Sequence, residues 1–460
     1  MASTKKKPDN PVINVAVVGH TNTGKTSLIR TLLRDDRFGK IDDAAGTTRS
    51  VEKSVVYAGD EAVLNLFDTP GFEDSSALLL ALEALSKTVE VKSPAQLLRE
   101  FISQAQRYPD FEQEIKVLRQ SLKSDVLLYI IDVREPLLGK YSDEVEILSK
   151  AGKPILPVFN FIAGNSESLA RWREQMTRFN LHAALEFDTV AFDFEAEKRL
   201  YQKLQSLLEK HYDTLQTLID YRQEVWHNLV HAGAQRIFQL LAEVACFRQE
   251  VESRDGIADA DVASIQNFVR KAEQRALQDL LTIFAFTQVD IELQQIAVRD
   301  GQWELDIFSP HALKDFGLNA GARALAGAAA GAGIDLMVGG ISLGAATALG
   351  AALGAGWATL RRYQKELAAL WRGHKWLCVD DDTLSLLYLR QRQLLHTLTR
   401  RGHAAQSSIH LSDRVDHALP EGWHKVIKTL RQHPEWQAGT STSAEYRQIQ
   451  AEVIKWLTDD

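Results

Sequence analysis

Apolar residues in the first part of the chain come in short uninterrupted runs. The run VINVAVV at 12–18 is β-branched and ends at Gly19, as expected for a strand buried on both faces of a parallel sheet. Four more runs of this kind follow, at 51–56, 62–67, 126–131 and 154–159. Helical patterns separate the runs, the first at 25–33. This alternation predicts βαβ units and a three-layer α/β domain at 11–195, after a polar tail at 1–10.

Three further stretches carry helical patterns. Residues 73–123, inside the α/β domain, are rich in Leu, Glu, Gln and Lys, and Ser93 before Pro94 is a candidate N-cap, so a helical insertion is predicted there. Residues 196–317 place apolar side chains three and four positions apart and predict a helical region with two long helices that fold back on each other. Residues 361–460 predict a polar, helical C-terminal domain.

Residues 318–360 are a low-complexity segment of Gly and Ala, in which Leu336–Leu360 carry no charge. Glycines recur four positions apart, which places each pair on one helix face, and a 25-residue helix would span about 37 Å against a bilayer core of ~30 Å. The small number of large apolar residues argues against insertion. Three interpretations stay open: one weak membrane-spanning helix, an apolar helical hairpin that turns near Asp335, or a helix pair packed inside a soluble domain.

Composition and charge limit the classes of protein to which the chain can belong. Apolar residues make up 45% and charged residues 25%, as in folded soluble chains. The net charge of −8 disfavours a general nucleic-acid binder, so nucleic acid is not expected as a partner. Only Cys246 and Cys378 occur, which excludes a disulfide framework. The polar start of the chain predicts a cytoplasmic protein, at the cytoplasmic face of the inner membrane if 318–360 contacts a bilayer.

A phosphate-binding motif stands between the first predicted strand and the first predicted helix. The sequence GHTNTGKT at 19–26 matches GxxxxGKS/T, whose glycines let backbone N–H groups face a phosphate while the helix N-terminus adds partial positive charge. Lys25 is expected to reach the β- and γ-phosphates, and Thr26 to bind Mg²⁺. The predicted nucleotide-binding residues of this loop are Gly19, His20, Thr21, Asn22, Thr23, Gly24, Lys25, Thr26 and Ser27.

A second motif, DTPG at 68–71, follows the apolar run AVLNLF. Asp68 therefore stands at the carboxyl end of a predicted strand, where its carboxylate can hold Mg²⁺ through water, and the Gly71 N–H can meet the γ-phosphate. Between the two motifs, GTTR at 46–49 offers a hydroxyl that can complete the Mg²⁺ coordination and so sense whether a γ-phosphate is present.

The combination of GHTNTGKT, GTTRS and DTPG resembles the Era/TrmE/EngA branch of translation-factor-class GTPases, from residue 12 to about 195. The resemblance implies that the chain binds GTP and hydrolyses it to GDP and phosphate. It assigns Lys25 to the phosphates, Thr26 and Thr48 to Mg²⁺ and Asp68 to the outer sphere of the metal. The predicted catalytic residues are Lys25, Thr48, Asp68 and Gly71. Beyond residue 195 the chain is similar to a bacterial family of Era-like GTPases with an uncharacterised C-terminal domain.

The motif that reads guanine in this family is altered in the chain. The family reads guanine with NKxD after the strand PILPVF, and here that position is Asn160-Phe161-Ile162-Ala163. The missing acid would accept two hydrogen bonds from guanine, so selectivity should be weaker. Asn160 and Phe161 remain as predicted contacts of the base. The family's last motif, SAK, aligns best with residues 190–192.

The position after DTPG also departs from the Ras-like pattern, because Phe72 cannot orient an attacking water. We therefore expect slow hydrolysis that needs a cation or a partner. Some members of the branch hold K⁺ through an Asn at the fourth loop position, here Asn22; the alternative is that Asn22 only stabilises the loop. The predicted function is a slow GTPase switch, at a membrane if 318–360 inserts.

Two alternatives stay open for the whole chain. One is a ribosome- or RNA-associated assembly GTPase resembling Era, and the other is a dynamin-like GTPase that remodels membranes. For the chain as a whole, a protein partner is expected that the sequence does not identify, and a nucleotide-dependent dimer stays open.

Overall fold

The computed structural model describes residues 12–33, 50–188, 194–251, 258–284, 298–299, 302–303, 305–309, 312, 316, 334–337, 375–400 and 418–459. The chain divides into two compact units, the first running to His227 and the second beginning at Asn228.

A six-stranded sheet organises the first unit, in the spatial order β2-β3-β1-β4-β5-β6. Its strands are β1 (Ile13–Gly19), β2 (Glu52–Ala58), β3 (Glu61–Asp68), β4 (Val126–Asp132), β5 (Ile155–Asn160) and β6 (Leu185–Glu186). All neighbours are parallel except the β2/β3 hairpin. The five apolar runs therefore form strands as predicted, and the mostly parallel sheet is confirmed.

Helices cover both faces of this sheet. They are α1 (Lys25–Leu33), α2 (Ser75–Ser86), α3 (Pro94–Ser103), α4 (Glu112–Lys123), α5 (Gly139–Ser149), α6 (Ser166–Arg178) and α7 (Phe194–Leu207). Alternate residues of β1 enter different cores: Val18 packs in the core that contains Trp172, and Val17 packs in the core that contains Leu28. The three-layer α/β prediction is thus confirmed.

The predicted insertion at 73–123 contains α2, α3 and α4, so it is helical as expected. Its local signals act as the sequence indicates: Ser93 caps α3 by accepting a hydrogen bond from the Gln96 N–H, and Pro94 is the first helical residue. Asp74 caps α2 in the same way through the Ala77 N–H.

The first unit extends beyond the predicted boundary at residue 195. Leu200 and Leu204 of α7 pack into the core beneath α1, together with Leu215 and Leu218 of α8 (Tyr212–Ala245). A helical periodicity marks an apolar face without telling which core it will cover, and this is why the sequence placed the boundary too early.

The second unit is mainly helical. Besides the second half of α8 it contains α9 (Asp259–Ile283), α10 (Asp381–Arg400), α11 (Trp423–Arg431) and α12 (Ala444–Thr458). The helical prediction for 196–317 and 361–460 holds for these elements. The sequence did not predict the strands between them, which are β7 (Gln249–Val251), β8 (Val298–Arg299), β9 (Gln302–Trp303), β10 (Ile334–Met337) and β11 (Lys375–Val379).

A buried ion pair joins α9 to α10. The Arg390 guanidinium Nε lies 3.2 Å from a Glu273 carboxylate oxygen, and both side chains are almost fully buried. Burial raises the pKa of Glu273 to about 7, although the charge of Arg390 acts in the opposite direction.

The helical prediction for 318–360 is wrong at residues 334–337. These residues form β10, which pairs antiparallel with β11 so that Asp335 stands opposite Cys378 rather than at a helical turn. The run IDLMV lies between Gly333 and Gly339, and a short apolar run bracketed by glycines is typical of a strand. The rest of the predicted hairpin, 318–333 and 338–360, lies outside the described residues. Of the helices in the described ranges, none combines the length and apolarity needed to cross a membrane.

Candidate functional site

The loop after β1 has the backbone that the phosphate motif requires. Gly19 and Gly24 adopt φ of +146° and +93°, which side-chain-bearing residues rarely adopt. A Cβ at Gly24 would lie 2.3 Å from the Asn160 amide nitrogen, and one at Gly19 would lie 2.6 Å from the Ile130 carbonyl oxygen. Only glycine fits at these two positions, so the loop passes close to the ends of β4 and β5.

Lys25 is the first residue of α1, directly after this loop, and is 7% exposed. Its ammonium donates hydrogen bonds to the carbonyl oxygens of His20 at 2.7 Å and Gly19 at 3.3 Å. Burial lowers the pKa of Lys25 to about 8, while the charges of Asp68 and Glu144 act in the opposite direction. The ammonium is therefore held by the backbone of the phosphate loop, and negative charge added nearby would stabilise its protonated form.

Two of the three predicted Mg²⁺ ligands, Thr26 and Asp68, belong to the described residues and lie side by side. The Thr26 hydroxyl donates to an Asp68 carboxylate oxygen at 2.6 Å, although the residues are 42 positions apart. The register of β1 with β3 pairs Val17 with Asp68, so the motif at the end of β3 faces the start of α1. A hydroxyl and a carboxylate at one point are the hard oxygen donors that Mg²⁺ prefers, so the residues fit the metal. Thr48 lies outside the described residues.

The DTPG turn is bonded directly to the phosphate loop. A Cβ at Gly71 would lie 2.5 Å from the Thr21 backbone nitrogen, and the Phe72 N–H donates to the Gly19 carbonyl oxygen at 3.2 Å. Phe72 itself is fully buried in the core that contains Trp172. Its ring therefore serves packing, in line with the expectation that this position does not orient water.

Other loop residues hold the loop's shape. Thr23 donates its hydroxyl to the His20 carbonyl oxygen at 3.0 Å. Asn22 is exposed and has φ of +64°. Ser27 lies in the first turn of α1, where it is half-buried. No contact of the described chain tests whether Asn22 holds K⁺, and this stays a prediction.

Asn160, at the end of β5, ties the phosphate loop to the sheet. Its buried amide donates to the Thr23 carbonyl oxygen at 3.0 Å, and its amide oxygen accepts from the Phe161 N–H at 2.9 Å. Phe161 has φ of +57°, which is strained for an aromatic residue. Strain of this kind clusters at functional sites, and here it stands next to the loop at Gly24.

Arg134 and Asp132, at the end of β4, were not predicted as site residues. The Asp132 carboxylate accepts hydrogen bonds from the Arg134 Nε at 2.9 Å and Nη2 at 2.7 Å. The guanidinium lies 3.8 Å from the centre of the Phe161 ring, within the range of a cation–π contact. Their only sequence signal is position, since both follow a buried parallel strand.

Sequence reasoning also missed the side chains that hold His20. Its Nδ1 lies 2.9 Å from Glu144 of α5, which is fully buried and also accepts from the Tyr129 hydroxyl at 2.8 Å. Its Nε2 lies 2.8 Å from the ammonium of Lys140. Because an ammonium only donates, Nε2 accepts and Nδ1 donates to Glu144. The one available signal was an acid on the core-facing side of α5, beside Tyr141 and Leu148.

Two protein families match the chain. The family described as 50S ribosome-binding GTPase matches residues 14–161, and the family described as Domain of unknown function (DUF3482) matches residues 173–458.

Curated relatives align with part of the chain. The chain is 26% identical over 153 residues to the tRNA modification GTPase MnmE of Mycoplasmoides gallisepticum, covering 33% of this chain and 31% of MnmE. It is 31% identical over 140 residues to the GTPase Der of Nautilia profundicola, covering 30% and 29%. A solved structure of Era with MgGDPNP and nucleotides 1506–1542 of 16S ribosomal RNA shares 23% identity at a TM-score of 0.28, covering 39% of this chain and 51% of Era. The chain thus spans about a third of the length of the curated relatives.

Proposed function

Because the chain belongs to the family described as Domain of unknown function (DUF3482) and carries a translation-factor-class P-loop GTPase domain ahead of it, we propose that it binds GTP and hydrolyses it to GDP and phosphate as a slow switch. The observation that carries the proposal is the phosphate loop with buried Lys25 beside the Thr26–Asp68 pair. The predicted resemblance to the Era/TrmE/EngA branch is confirmed by the family match and the relatives.

The chain's own residues divide the work at the phosphates. Lys25 is held within the loop and supplies positive charge, and the backbone from Gly19 to Gly24 supplies N–H donors. Thr26 and Asp68 would hold Mg²⁺, which neutralises charge on the β- and γ-phosphates when bound. Gly71 lies against Thr21, and this contact with the phosphate loop supports a response of the DTPG turn to the γ-phosphate.

Steady-state phosphate release by the full chain tests the proposed activity. We expect slow release from GTP, release from ATP at a lower rate, and loss of both in Lys25→Ala because that variant lacks the phosphate-binding charge. Each tenfold change in rate corresponds to about 1.4 kcal/mol in the barrier. Release by Lys25→Ala at the wild-type rate would overturn the assignment.

Slow hydrolysis follows from Phe72, which is buried and carries no group for orienting water. We propose that K⁺ beside Asn22 supplies the missing positive charge; support comes from the position of Asn22, exposed on the phosphate loop. The rate should fall when Na⁺ replaces K⁺, and Asn22→Gly should remove the difference while tolerating the φ of +64°. Equal wild-type rates in the two salts would contradict the role of K⁺ and leave the 73–123 insertion or a partner as the activator.

Membrane contact through 318–360 is a further proposal about location. The charge-free run continues over 338–360, and Trp357, Arg361 and Arg362 stand at its end as candidate interfacial anchors. Flotation of the full chain with liposomes, beside a variant lacking 341–360, tests this. We expect only the full chain to float, with both flanking parts on the cytoplasmic side; a full chain that stays at the bottom of the gradient would contradict the proposal.

A second candidate function is association with the ribosome or with RNA. It is favoured by the family that matches 14–161, whose description is 50S ribosome-binding GTPase, and by the relative named as a tRNA modification GTPase. The net charge of −8 argues against it, so the expectation that nucleic acid is not a partner stays a prediction. Cosedimentation of the full chain with ribosomal subunits, measured in a non-hydrolysable GTP analogue and in GDP, distinguishes this candidate function from the expectation that nucleic acid is not a partner.

A further inference from the structure

The backbone that follows the DTPG turn is bonded to a side chain of the helical insertion. Glu114, in the first turn of α4, accepts hydrogen bonds from the backbone N–H groups of Glu73 at 3.0 Å and Asp74 at 3.2 Å. Both N–H groups donate to the same carboxylate oxygen, although they lie 41 and 40 positions away in the sequence. Glu114 therefore fixes the two residues between the DTPG turn and the first residue of α2.

Glu114 acts from a rigid part of the fold. Its side chain is buried, with 2% of the residue exposed, and a buried carboxylate is costly unless hydrogen bonds replace its hydration. Backbone N–H groups that donate to a charged carboxylate form stronger bonds than neutral pairs do. Three apolar residues anchor α4 in the core that contains Phe72, namely Ile115, Val117 and Leu118. The carboxylate is thus held in place by core packing on its own helix.

The same backbone is bonded to the phosphate loop one residue earlier. The Phe72 N–H donates to the Gly19 carbonyl oxygen at 3.2 Å, and the next N–H, that of Glu73, donates to Glu114. Two consecutive N–H groups therefore join the end of the DTPG turn to the phosphate loop and to α4. Neither bond uses the Gly71 N–H, which is the group expected to meet the γ-phosphate.

We propose that Glu114 is a positioning residue for recognition of the γ-phosphate. It holds the DTPG turn beside the phosphate loop, so that the Gly71 N–H can contact the γ-phosphate without the turn first having to be ordered. This inference rests on the proposed GTP binding and specifies how the site distinguishes GTP from GDP. It also gives the insertion at 73–123 a role, because α4 carries the residue that presets the turn.

Loss of these hydrogen bonds should act on GTP and not on GDP. Without Glu114 the backbone at 73–74 gains conformational freedom, and binding of the γ-phosphate has to remove it at a cost in entropy. GDP lacks the γ-phosphate that the turn would contact, so the state of the turn has no effect on its affinity. A purely structural role of Glu114 predicts a different pattern, because partial misfolding lowers the apparent affinities for both nucleotides equally.

Calorimetric titration of the full chain with GDP and with a non-hydrolysable GTP analogue, both in Mg²⁺, tests the inference. In Glu114→Ala we expect the affinity for the analogue to fall by about 10- to 100-fold and that for GDP to stay within about threefold of wild type. Glu114→Gln should restore most of the affinity for the analogue, because an amide oxygen still accepts from both N–H groups. Glu112→Ala, which removes an exposed acid of the same helix, is the matched control and should behave as wild type.

Glu114→Asp keeps the charge and withdraws the carboxylate by one methylene, so it should also lower the affinity for the analogue relative to GDP. This variant carries the test if Glu114→Ala does not fold. The ratio of the two affinities is the decisive quantity, because it does not depend on the fraction of folded protein.

The outcomes separate this inference from the proposed function. Equal falls for both nucleotides in Glu114→Ala and Glu114→Asp would show that Glu114 only supports the fold and would overturn the inference. A ratio that shifts towards the analogue would also overturn it, because Glu114 would then restrain the turn rather than preset it. Both results would leave GTP binding by wild type intact. Failure of wild type to bind the GTP analogue and GTP itself would overturn the proposed function as well.

Discussion

Proton uptake by Lys25 on nucleotide binding is a direct consequence of its burial. In the nucleotide-free protein its pKa is lowered to about 8, and its ammonium is held by two backbone carbonyl oxygens. Phosphate groups add negative charge next to the ammonium, so the pKa in the complex is higher than in the free protein. Binding therefore requires the protonated form, which the free protein loses as the pH rises.

The magnitude follows from linkage between protonation and binding. Below a pH of about 8 the free Lys25 is already charged, and affinity is independent of its titration. Above that pH each unit costs up to a factor of ten, so the affinity should fall by about tenfold between pH 7 and pH 9. At a pH near the pKa of free Lys25, binding should take up roughly half a proton.

Isothermal titration calorimetry with GDP, in buffers of different ionisation enthalpy, measures both quantities. Lys25→Arg is the control, because a guanidinium stays charged across this range and ligand ionisation is common to both proteins. We expect a falling affinity for wild type and a flat profile for Lys25→Arg, whatever its absolute affinity. A flat wild-type profile, or the same fall in both proteins, would refute the lowered pKa as its source.

Three further predictions concern folding. Gly24→Ala should lower the free energy of unfolding by more than the ~1 kcal/mol expected for Gly59→Ala, because both glycines have positive φ but only at Gly24 would a Cβ collide with a side-chain amide of β5; denaturant titration compares them. Glu144→Gln should cost about 1–3 kcal/mol, since a buried carboxylate loses two charge-assisted hydrogen bonds, and equal stability would show that the charge is dispensable. The pKa of Glu273 is raised to about 7 in the folded protein, so protonation of this carboxyl stabilises the fold. That contribution is complete below the pKa of the group in the unfolded chain and is lost as the pH rises from there towards 7, so the free energy of unfolding of wild type relative to Glu273→Gln should fall by up to about 1.4 kcal/mol per pH unit. A pH-independent difference between the two proteins would contradict this.

The phosphate site was predictable because its signals are local. A buried run, a glycine and a helical pattern fix the loop at 19–26 without knowledge of the rest of the chain. Even the contact between Thr26 and Asp68 could be predicted from the sequence, because neighbouring parallel strands end at one edge of the sheet.

Other features depend on which surfaces meet, and periodicity does not carry that information. Glu144 reaches His20 across 124 residues, and the acid on the core-facing side of α5 is a signal that does not identify its partner. Residues 334–337 sit in a Gly/Ala-rich setting that suggested a helix, but the short run between glycines pairs with β11. In this segment overall composition outweighed a local strand signal in the sequence interpretation.

Mg²⁺-dependent binding of GTP to the full chain tests the central claim most directly. The Thr26 hydroxyl lies 2.6 Å from the Asp68 carboxylate, so loss of either group should remove the metal's contribution and leave the Lys25 contribution in place. The account predicts that calorimetry shows GTP binding that weakens when Mg²⁺ is chelated in wild type, and that is weak with or without Mg²⁺ in Thr26→Ala. GTP affinity that is the same with and without Mg²⁺ in wild type, or no GTP binding at all, would contradict it.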